Sequence, residues 1–565
     1  MSLLRMNRKG YNSMKKFLCI FMALMLCVSA LYIGAYAADD SCGFAVATDL
    51  HYVHPLANVE DYVESEEFNT NKNGHSYQHE SGFIIDEFLR QCAENDNCDF
   101  VLIPGDLATY GREYVEDHYT LAAKFRAFEQ STGKQVYVIN GNHDNGKESL
   151  TNSAKFREIY NEFGYDKAFA VDESCCSYAV NLNDKYGLIA LDSCDEQYRL
   201  ASGVDFERVS WVREQAKAIT ESGRQPILMM HHNLLEHTPF ELITQDKYIV
   251  SMPRTYASIF ADCGIKLVFT GHTHTADAVS FTSPCGNTIY DFCSAALSEY
   301  PMQYRQFTLT DDEINYEMKT VQKIDTDALT SIVSGYSEES IKAMSTDFPK
   351  YAGEKQKAMI IGTVNDMISA EGLGVESDSI FYDTVNEACE AVKALFDMPL
   401  YGEDSVQQLA EGYGITLPES DYDNVWNMIG DASLNYAAGK KVYGSDSTEM
   451  EILFDCAKVA LKDSAIGNAD GFISSAVDVI MKNVVSEDVA NLVESVTEST
   501  EKLAVATVSA VVDAFCADTD GVDNVSGTLP GYYAQPNDAN IFDMLISLLT
   551  KLVSIMTTVI DSMVR

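Results

Sequence analysis

The chain has 565 residues, with 40 Lys and Arg against 85 Asp and Glu, a net charge of −45, 46% hydrophobic and 22% charged residues. At roughly 100–200 residues per domain, this length and apolar content predict two or more domains with cores of their own, and they exclude a wholly disordered chain or a small disulfide-stapled scaffold. So strong an acidic excess repels phosphate backbones at long range, which argues against a nucleic-acid clamp; if a phosphorylated ligand binds, metal ions must supply the attraction.

At the start of the chain, Arg5, Arg8, Lys9, Lys15 and Lys16 precede an uncharged, mostly apolar run over 17–34, followed by the small-residue pattern Ala35-Tyr36-Ala37. Residues 1–37 read as a signal peptide; the alternative is an uncleaved anchor, because the run approaches the length that spans a bilayer. Either way the body of the protein is expected outside the cytoplasm, secreted or at the extracytoplasmic surface. Loss of those five positive charges takes −45 to −50. No later segment has the pattern of a transmembrane span.

From about residue 42 to 321, short apolar runs rich in β-branched residues end in Gly, Asp, Asn or His and alternate with segments of helical spacing. The runs at 43–48, 100–104, 135–140, 186–191, 225–230 and 266–270 predict buried strands, while 82–95 and 119–130 carry apolar residues three and four apart, as helices packed on a sheet do. A polar insertion over about 58–81, with His75 and His79, is expected to form a lid. An α/β layered domain follows.

From about residue 324 the pattern turns mainly helical, with three-to-four spacing over 378–397, 450–462, 487–515 and 541–564, so a domain boundary is placed near 322: residues 38–322, then a helical domain over 323–565 of unknown role. The last segment is amphipathic and reads as packing in a bundle in preference to a surface anchor or partner helix. From residue 321 on there are 14 basic and 40 acidic residues, a surface that does not favour anionic lipid. Of 14 cysteines, Cys19 and Cys27 lie in the leader and 12 remain; Cys92 with Cys98 and the vicinal Cys175-Cys176 are candidates for pairing in an oxidising compartment, with connectivity left open.

All 11 histidines fall between His51 and His274. The blocks that hold them follow strand-like runs: Asp49-Leu50-His51, Gly105-Asp106, Gly141-Asn142-His143-Asp144, His231-His232 and Gly271-His272-Thr273-His274. Strand exits are where α/β sheets place their functional loops. On an extended chain, Asp-x-His and His-x-His put both side chains on one face, because side chains alternate with period two. Any one block alone is weak evidence; five at successive strand exits point to a site for two divalent metal ions. A mixed carboxylate, amide and imidazole set suits Mn, Fe or Zn better than Mg or Ca. His54, His75, His79, His118 and His237 read as surface or channel residues. Arg112, Tyr304 and Arg305 are candidate substrate contacts, with plain surface positions the default.

These blocks resemble the calcineurin-like metallophosphoesterase superfamily, whose pattern is D-x-H, G-D, G-N-H-[DE], H, G-H-x-H, over about residues 42–321. The resemblance implies a two-sheet β-sandwich flanked by helices with a dinuclear centre at the sheet edge. It implies that Asp49, His51 and His274 hold one metal, Asn142, His231 and His272 the other, and that Asp106 bridges both. Of the adjacent pair, His231 is taken as the ligand, since similar family sequences align the first histidine there, and His232 as a packing neighbour. His143 is the catalytic residue beside the metals, acting on the leaving oxygen, with a hydroxide shared by the metals as nucleophile. Asp106 is followed by Leu107-Ala108-Thr109-Tyr110-Gly111-Arg112, which lacks the acid of the protein serine/threonine phosphatases and the tyrosine ligand of purple acid phosphatases. What remains is an exported hydrolase of phosphate mono- or diesters, its substrate a nucleotide, phospholipid head group or wall polymer. The competing reading is a cell-surface binding or attachment protein whose helical half is its main function.

Overall fold

The computed structural model describes residues 41–55, 77–237, 247–372, 377, 382–440, 443, 447–463 and 522–532. The expected leader, most of the 58–81 insertion including His75, and the expected helices at 487–515 and 541–564 lie outside these residues. The described strands are β1 (Cys42–Val46), β2 (Phe100–Pro104), β3 (Gln135–Ile139), β4 (Ala170–Val171), β5 (Tyr178–Asn181), β6 (Tyr186–Leu191), β7 (Gln225–Met230), β8 (Leu267–Thr270), β9 (Asp277–Thr282), β10 (Thr288–Cys293), β11 (Gln303–Leu309), β12 (Glu313–Thr320) and β13 (Ser526–Pro530). They form two mixed sheets, a six-stranded one in the order β13-β12-β11-β1-β2-β3 and a seven-stranded one in the order β4-β5-β6-β7-β8-β10-β9.

The six strands expected from sequence are all present. β1, β2 and β3 are parallel to one another, as are β6, β7, β8 and β10. Their continuous apolar runs reflect burial on both faces, one against the opposite sheet and one under helices. Between the sheets lies an aromatic cluster: Phe44 stacks on Phe100 and Phe307 at 5.0 and 5.3 Å and meets Phe269 of the second sheet edge-on at 5.5 Å. Offset and edge-on rings add to the area they bury and lock the two sheets in register. Helices α1 (Ser81–Glu94), α2 (Val115–Thr132), α3 (Ser153–Ile159), α4 (Phe206–Glu221) and α5 (Pro253–Asp262) cover the outer faces. The fold is an α/β two-sheet sandwich flanked by helices.

Beyond Thr320 the described chain is helical up to Asp463, with α6 (Thr326–Ile332), α7 (Glu338–Thr346), α8 (Phe348–Met367), α9 (Tyr382–Asp397), α10 (Val406–Gly412), α11 (Val425–Ala437) and α12 (Thr448–Asp463). Side-chain caps set several starts, among them Asp325 for α6 and Ser337 for α7. Among the described residues no helix is long and apolar enough to cross a membrane. One element departs from the helical expectation. Ser526–Pro530 pairs antiparallel with β12 and forms the edge of the first sheet. Five residues that include Gly and Pro carry little strand signal of their own, and Pro is tolerated there because an edge strand leaves one row of N–H groups unused. The strand is held from its flanks, where Ala278 N donates to Asn524 Oδ1 at 2.8 Å and Tyr532 OH to Pro226 O at 3.0 Å.

A second tie between the sandwich and the helical region is Glu80, at the start of α1, which accepts a hydrogen bond from Tyr336 OH in the loop between α6 and α7. Burial pushes the Glu80 carboxyl up to about 7. A carboxyl whose folded value lies above its free value of about 4.3 binds more protons folded than unfolded, so stability falls as pH rises from about 4.3 to 7 and the loss persists above. Glu80→Gln keeps the acceptor and cannot ionise. We expect its melting temperature to match that of the native chain near pH 4.5 and to exceed it at pH 8; equal values at both pH values would contradict this.

Candidate metal centre

The blocks leave the C-terminal ends of five parallel strands drawn from both sheets, and these strands end at one edge of the sandwich: Asp49 and His51 after β1, Asp106 after β2, Asn142 after β3, His231 after β7, and His272 and His274 after β8. There the structure brings together all seven nominated metal ligands and His143. Three overlapping groups have ligand atoms within 4.8 Å of one another: Asp49, His51 and His274; His51, Asp106 and His143; and Asp106, His231 and His272. Asn142 joins the third group, with its Oδ1 2.9 Å from His231 Nε2.

The geometric reason for this convergence differs from the one expected. Asp49, His51, Asp106, His272 and His274 have φ of 51°, 45°, 47°, 69° and 56°. They lie in the left-handed region, not on extended chain, so period-two alternation does not bring Asp49 beside His51 or His272 beside His274. Tight turns do. Left-handed backbone costs a non-glycine residue on the order of 1–3 kcal/mol, and its concentration here marks a site where the surrounding fold holds strained backbone in place. Gly105 has a φ of 97°, and a Cβ there would lie 2.7 Å from His231 Nδ1, so only glycine lets the β2 exit pass under that ring.

Hydrogen bonds decide which ring nitrogens face the pocket. His231 Nδ1 donates to Pro104 O at 3.0 Å, so Nε2 is the nitrogen turned to the pocket, 3.3 Å from Asp106 Oδ2. Against the pull of burial, the carboxylates of Asp106 and Asp49 push this imidazole up to about 9. His274 Nδ1 donates to Glu299 Oε2 at 3.0 Å, leaving Nε2 3.1 Å from Asp49 Oδ1 and 3.2 Å from His51 Nε2. His272 Nε2 donates to Lys247 O at 2.7 Å, which frees Nδ1. The adjacent His232 points its Nδ1 at Ser193 Oγ, 3.0 Å away, and lays its ring on His272. Asp49 Oδ1 and Asn142 Nδ2 are buried without a hydrogen-bond partner.

The electrostatics fit a cation. Burial works to raise Asp106, yet His231, His143 and His51 hold its carboxyl well below the usual range; Asp49 is likewise lowered against its burial, chiefly by His274. Burial pulls His51 down to about 3 and, with the charge of His231, His272 to about 4, so both rings are neutral and carry lone pairs. Lone pairs crowded at 3.1–3.3 Å in a buried pocket need a proton or a cation among them, and this mixed N and O donor set suits a divalent transition metal.

Supporting residues escaped the sequence reading. Glu299, on the link from β10 to β11, fixes the His274 ring, and nothing in its neighbourhood of the sequence marks it. Removing an outer partner of this kind costs roughly 10–100-fold in metal affinity or activity. Glu299→Ala is expected to weaken metal binding by that amount, followed by metal titration, with Glu299→Gln recovering part of the loss because an amide oxygen still accepts from Nδ1. Asp144 takes three backbone N–H groups, from Leu107, Ala108 and Gly141 at 3.2, 3.0 and 2.7 Å, and so clamps the Asp106 loop to the Asn142 loop. His118 is fully buried between Tyr160 OH and Asp144 O, His79 is buried on Pro55 O, and His237 is buried against Asp277 and Asp291. These three are therefore interior residues, not the surface or channel positions expected. His54 is exposed. Tyr304 and Arg305 are also buried and away from substrate: Tyr304 OH donates to Gln91 Oε1, and Arg305 donates to the carbonyls of Asn524, Asp277 and Cys293. The described cysteines are free thiols.

A model of the calcineurin-like phosphoesterase family matches residues 43–276. No curated protein matches the chain. Among solved structures, a dimetal phosphatase from Danio rerio is 12% identical, with 50% of this chain and 96% of that one covered at a TM-score of 0.35. The purple acid phosphatase PPD1 of yellow lupin, Lupinus luteus, is 11% identical over 51% of this chain and 52% of that one, with a TM-score of 0.34. The phosphopantetheinyl hydrolase of Mycobacterium tuberculosis is 11% identical over 46% and 91%, with a TM-score of 0.25. Residues 43–276 form a calcineurin-like phosphoesterase domain, and the protein is a metal-dependent phosphoesterase.

Proposed function

We propose that this protein hydrolyses phosphate mono- or diesters outside the cytoplasm, with residues 38–322, joined by the edge strand Ser526–Pro530, as the catalytic domain and the rest of 323–565 as an appended helical region. The observation that carries the reading is the convergence of His51 Nε2, His274 Nε2 and Asp49 Oδ1 beside Asp106, His231 and Asn142. Export rests on the charged and apolar pattern of residues 1–37. In this reading Asp49, His51 and His274 hold one divalent cation, Asn142, His231 and His272 the second, and Asp106 both. Two such ions would supply Lewis acidity, lowering the pKa of a water and neutralising charge on the phosphoryl oxygens.

The rest is the work of the chain. Asp106 Oδ1 accepts from His143 N at 2.8 Å, which ties the imidazole loop to the bridging carboxylate. Thr109 O, 2.8 Å from His143 Nδ1, holds the proton on that nitrogen and turns Nε2 toward the site, 4.0 Å from Asp106 Oδ2. Entering the reaction as an imidazolium, the ring gives its Nε2 proton to the leaving oxygen as the P–O bond breaks and water supplies the new oxygen on phosphorus, and it is left as the neutral imidazole with its remaining proton on Nδ1. His143 is the most open of the rings at the centre of the pocket except His274, with its side chain 25% exposed, as a group that meets substrate must be. The test is hydrolysis of bis(p-nitrophenyl) phosphate and p-nitrophenyl phosphate by the intact chain. We expect turnover of at least one ester with Mn, Fe or Zn, abolished by a chelator and restored by adding the metal back; turnover that survives chelation would overturn the reading.

A further inference from the structure

Beside His143 stand two arginines that the proposed reaction has not used. Arg199, in the loop between β6 and α4, places Nη2 2.7 Å from His143 Nδ1. The proton that His143 Nδ1 gives to Thr109 O cannot coexist with an Arg199 N–H donated to the same nitrogen, so with the ring held by Thr109 this guanidinium needs another acceptor. Arg112 meets the same residue through its backbone: its N donates to His143 O at 3.1 Å, and its guanidinium lies near Gly146, where an added Cβ would be 3.0 Å from Nη1. Its Nε and Nη2 are buried and without a partner. The two side chains feel one another's charge.

Most other arginines of this acidic chain spend their donors on carboxylates or backbone carbonyls. Arg90, Arg126, Arg157, Arg224 and Arg254 each pair with an Asp or Glu within 4.0 Å, and Arg208 and Arg305 spend donors on backbone carbonyls, whereas Arg112 keeps Nε and Nη2 unpaired and, among the described residues, neither Arg112 nor Arg199 has a carboxylate partner. Two neighbouring cations repel, and leaving the buried Nε and Nη2 of Arg112 unpaired costs free energy, which an anion bound there would offset, while Arg199 is exposed and free to reach it. A planar guanidinium fork matches the oxygens of phosphate or carboxylate. Both contact the residue proposed to protonate the leaving group, Arg199 at the His143 ring and Arg112 at the His143 carbonyl.

We propose that Arg112 and Arg199 form an anion subsite for the leaving group, so that the enzyme selects phosphate esters whose leaving portion carries a second anionic group, a phosphate or a carboxylate. This rests on the hydrolase reading above and adds the substrate class to it. A matched series tests it: glycerol phosphate, whose leaving group is neutral, against phosphoglycerate and glycerol bisphosphate, which add a carboxylate or a second phosphate. With charge-assisted hydrogen bonds of ordinary strength, kcat/KM for a doubly anionic substrate should exceed that for glycerol phosphate by on the order of tenfold to a hundredfold. Comparison of phosphoglycerate with the bisphosphate shows which anion the subsite takes.

In the Arg112→Gln, Arg199→Gln double variant that ratio should fall toward one. Using the ratio cancels any general disturbance of His143, which all three substrates share. Calorimetric binding of the same three compounds to the Mn-loaded protein gives the same comparison independently of turnover, and Asn142→Ala, which removes a proposed metal ligand, should abolish turnover of all three. Equal kcat/KM and equal affinity across the series, or a double variant that lowers all three alike, would overturn the subsite and leave the metal centre standing. Turnover that survives Asn142→Ala would instead count against the centre, while the binding ratio still judges the subsite.

Discussion

Asp106→Ala is expected to lower kcat/KM by on the order of 10³-fold or more and to strip the protein of metal, the largest single effect at this site. The expectation follows from position. Asp106 is 1% exposed and belongs to two of the three ligand groups, with Oδ2 3.3 Å from His231 Nε2, 3.8 Å from His51 Nε2 and 4.0 Å from His143 Nε2. Its removal leaves three imidazoles facing a pocket with one carboxylate fewer, and a metal Lewis acid contributes several kcal/mol of charge stabilisation at about 1.36 kcal/mol per tenfold. Metal content by elemental analysis and kcat/KM should fall together while the melting profile of the metal-free protein still shows a cooperative transition. Full metal content with near-native activity would show that the two halves of the site do not share this carboxylate.

His143→Ala is expected to behave differently, losing about 10²- to 10⁴-fold in kcat while its metal content stays near native, as for a general acid that is not a ligand. His143 lies within reach of His51 and Asp106, so distance alone does not separate the two roles. The leaving group does. An alkyl phosphate needs its leaving oxygen protonated, whereas a nitrophenolate departs readily without help, so the loss should be greater for the alkyl ester. Equal losses on both esters accompanied by loss of metal would make His143 a ligand; equal losses with metal retained would remove it from proton transfer. The contact of Thr109 O with Nδ1 predicts that this carbonyl, through the backbone of the Asp106 loop, orients the acid, a link visible only in three dimensions.

Much of the domain was legible in the sequence because buried parallel strands must be apolar on both faces and their exits must carry the polar chemistry. That rule located β1, β2, β3, β6, β7 and β8 and every residue gathered at the pocket. Strands β9 to β12 were not resolved from sequence; β9 and β12 are partly exposed, and such strands carry a weaker pattern. β13 was hidden because its partner, β12, lies about two hundred residues earlier, and pairing over that distance leaves no local mark.

By itself, then, the sequence determined the class of fold, the donor types and their order along the chain, since those follow from which side chains tolerate burial and which bind cations. Tertiary structure alone decided the rest: that the paired ligands meet through left-handed turns, that His231 and not His232 turns its Nε2 to Asp106, that Glu299 steers His274, and that Arg112 and Arg199 stand beside His143 without a carboxylate. Each of these depends on a hydrogen bond or a charge contributed by another, often distant, stretch of the chain. A residue's partners across the fold, which its neighbours in sequence do not encode, set which atom it presents.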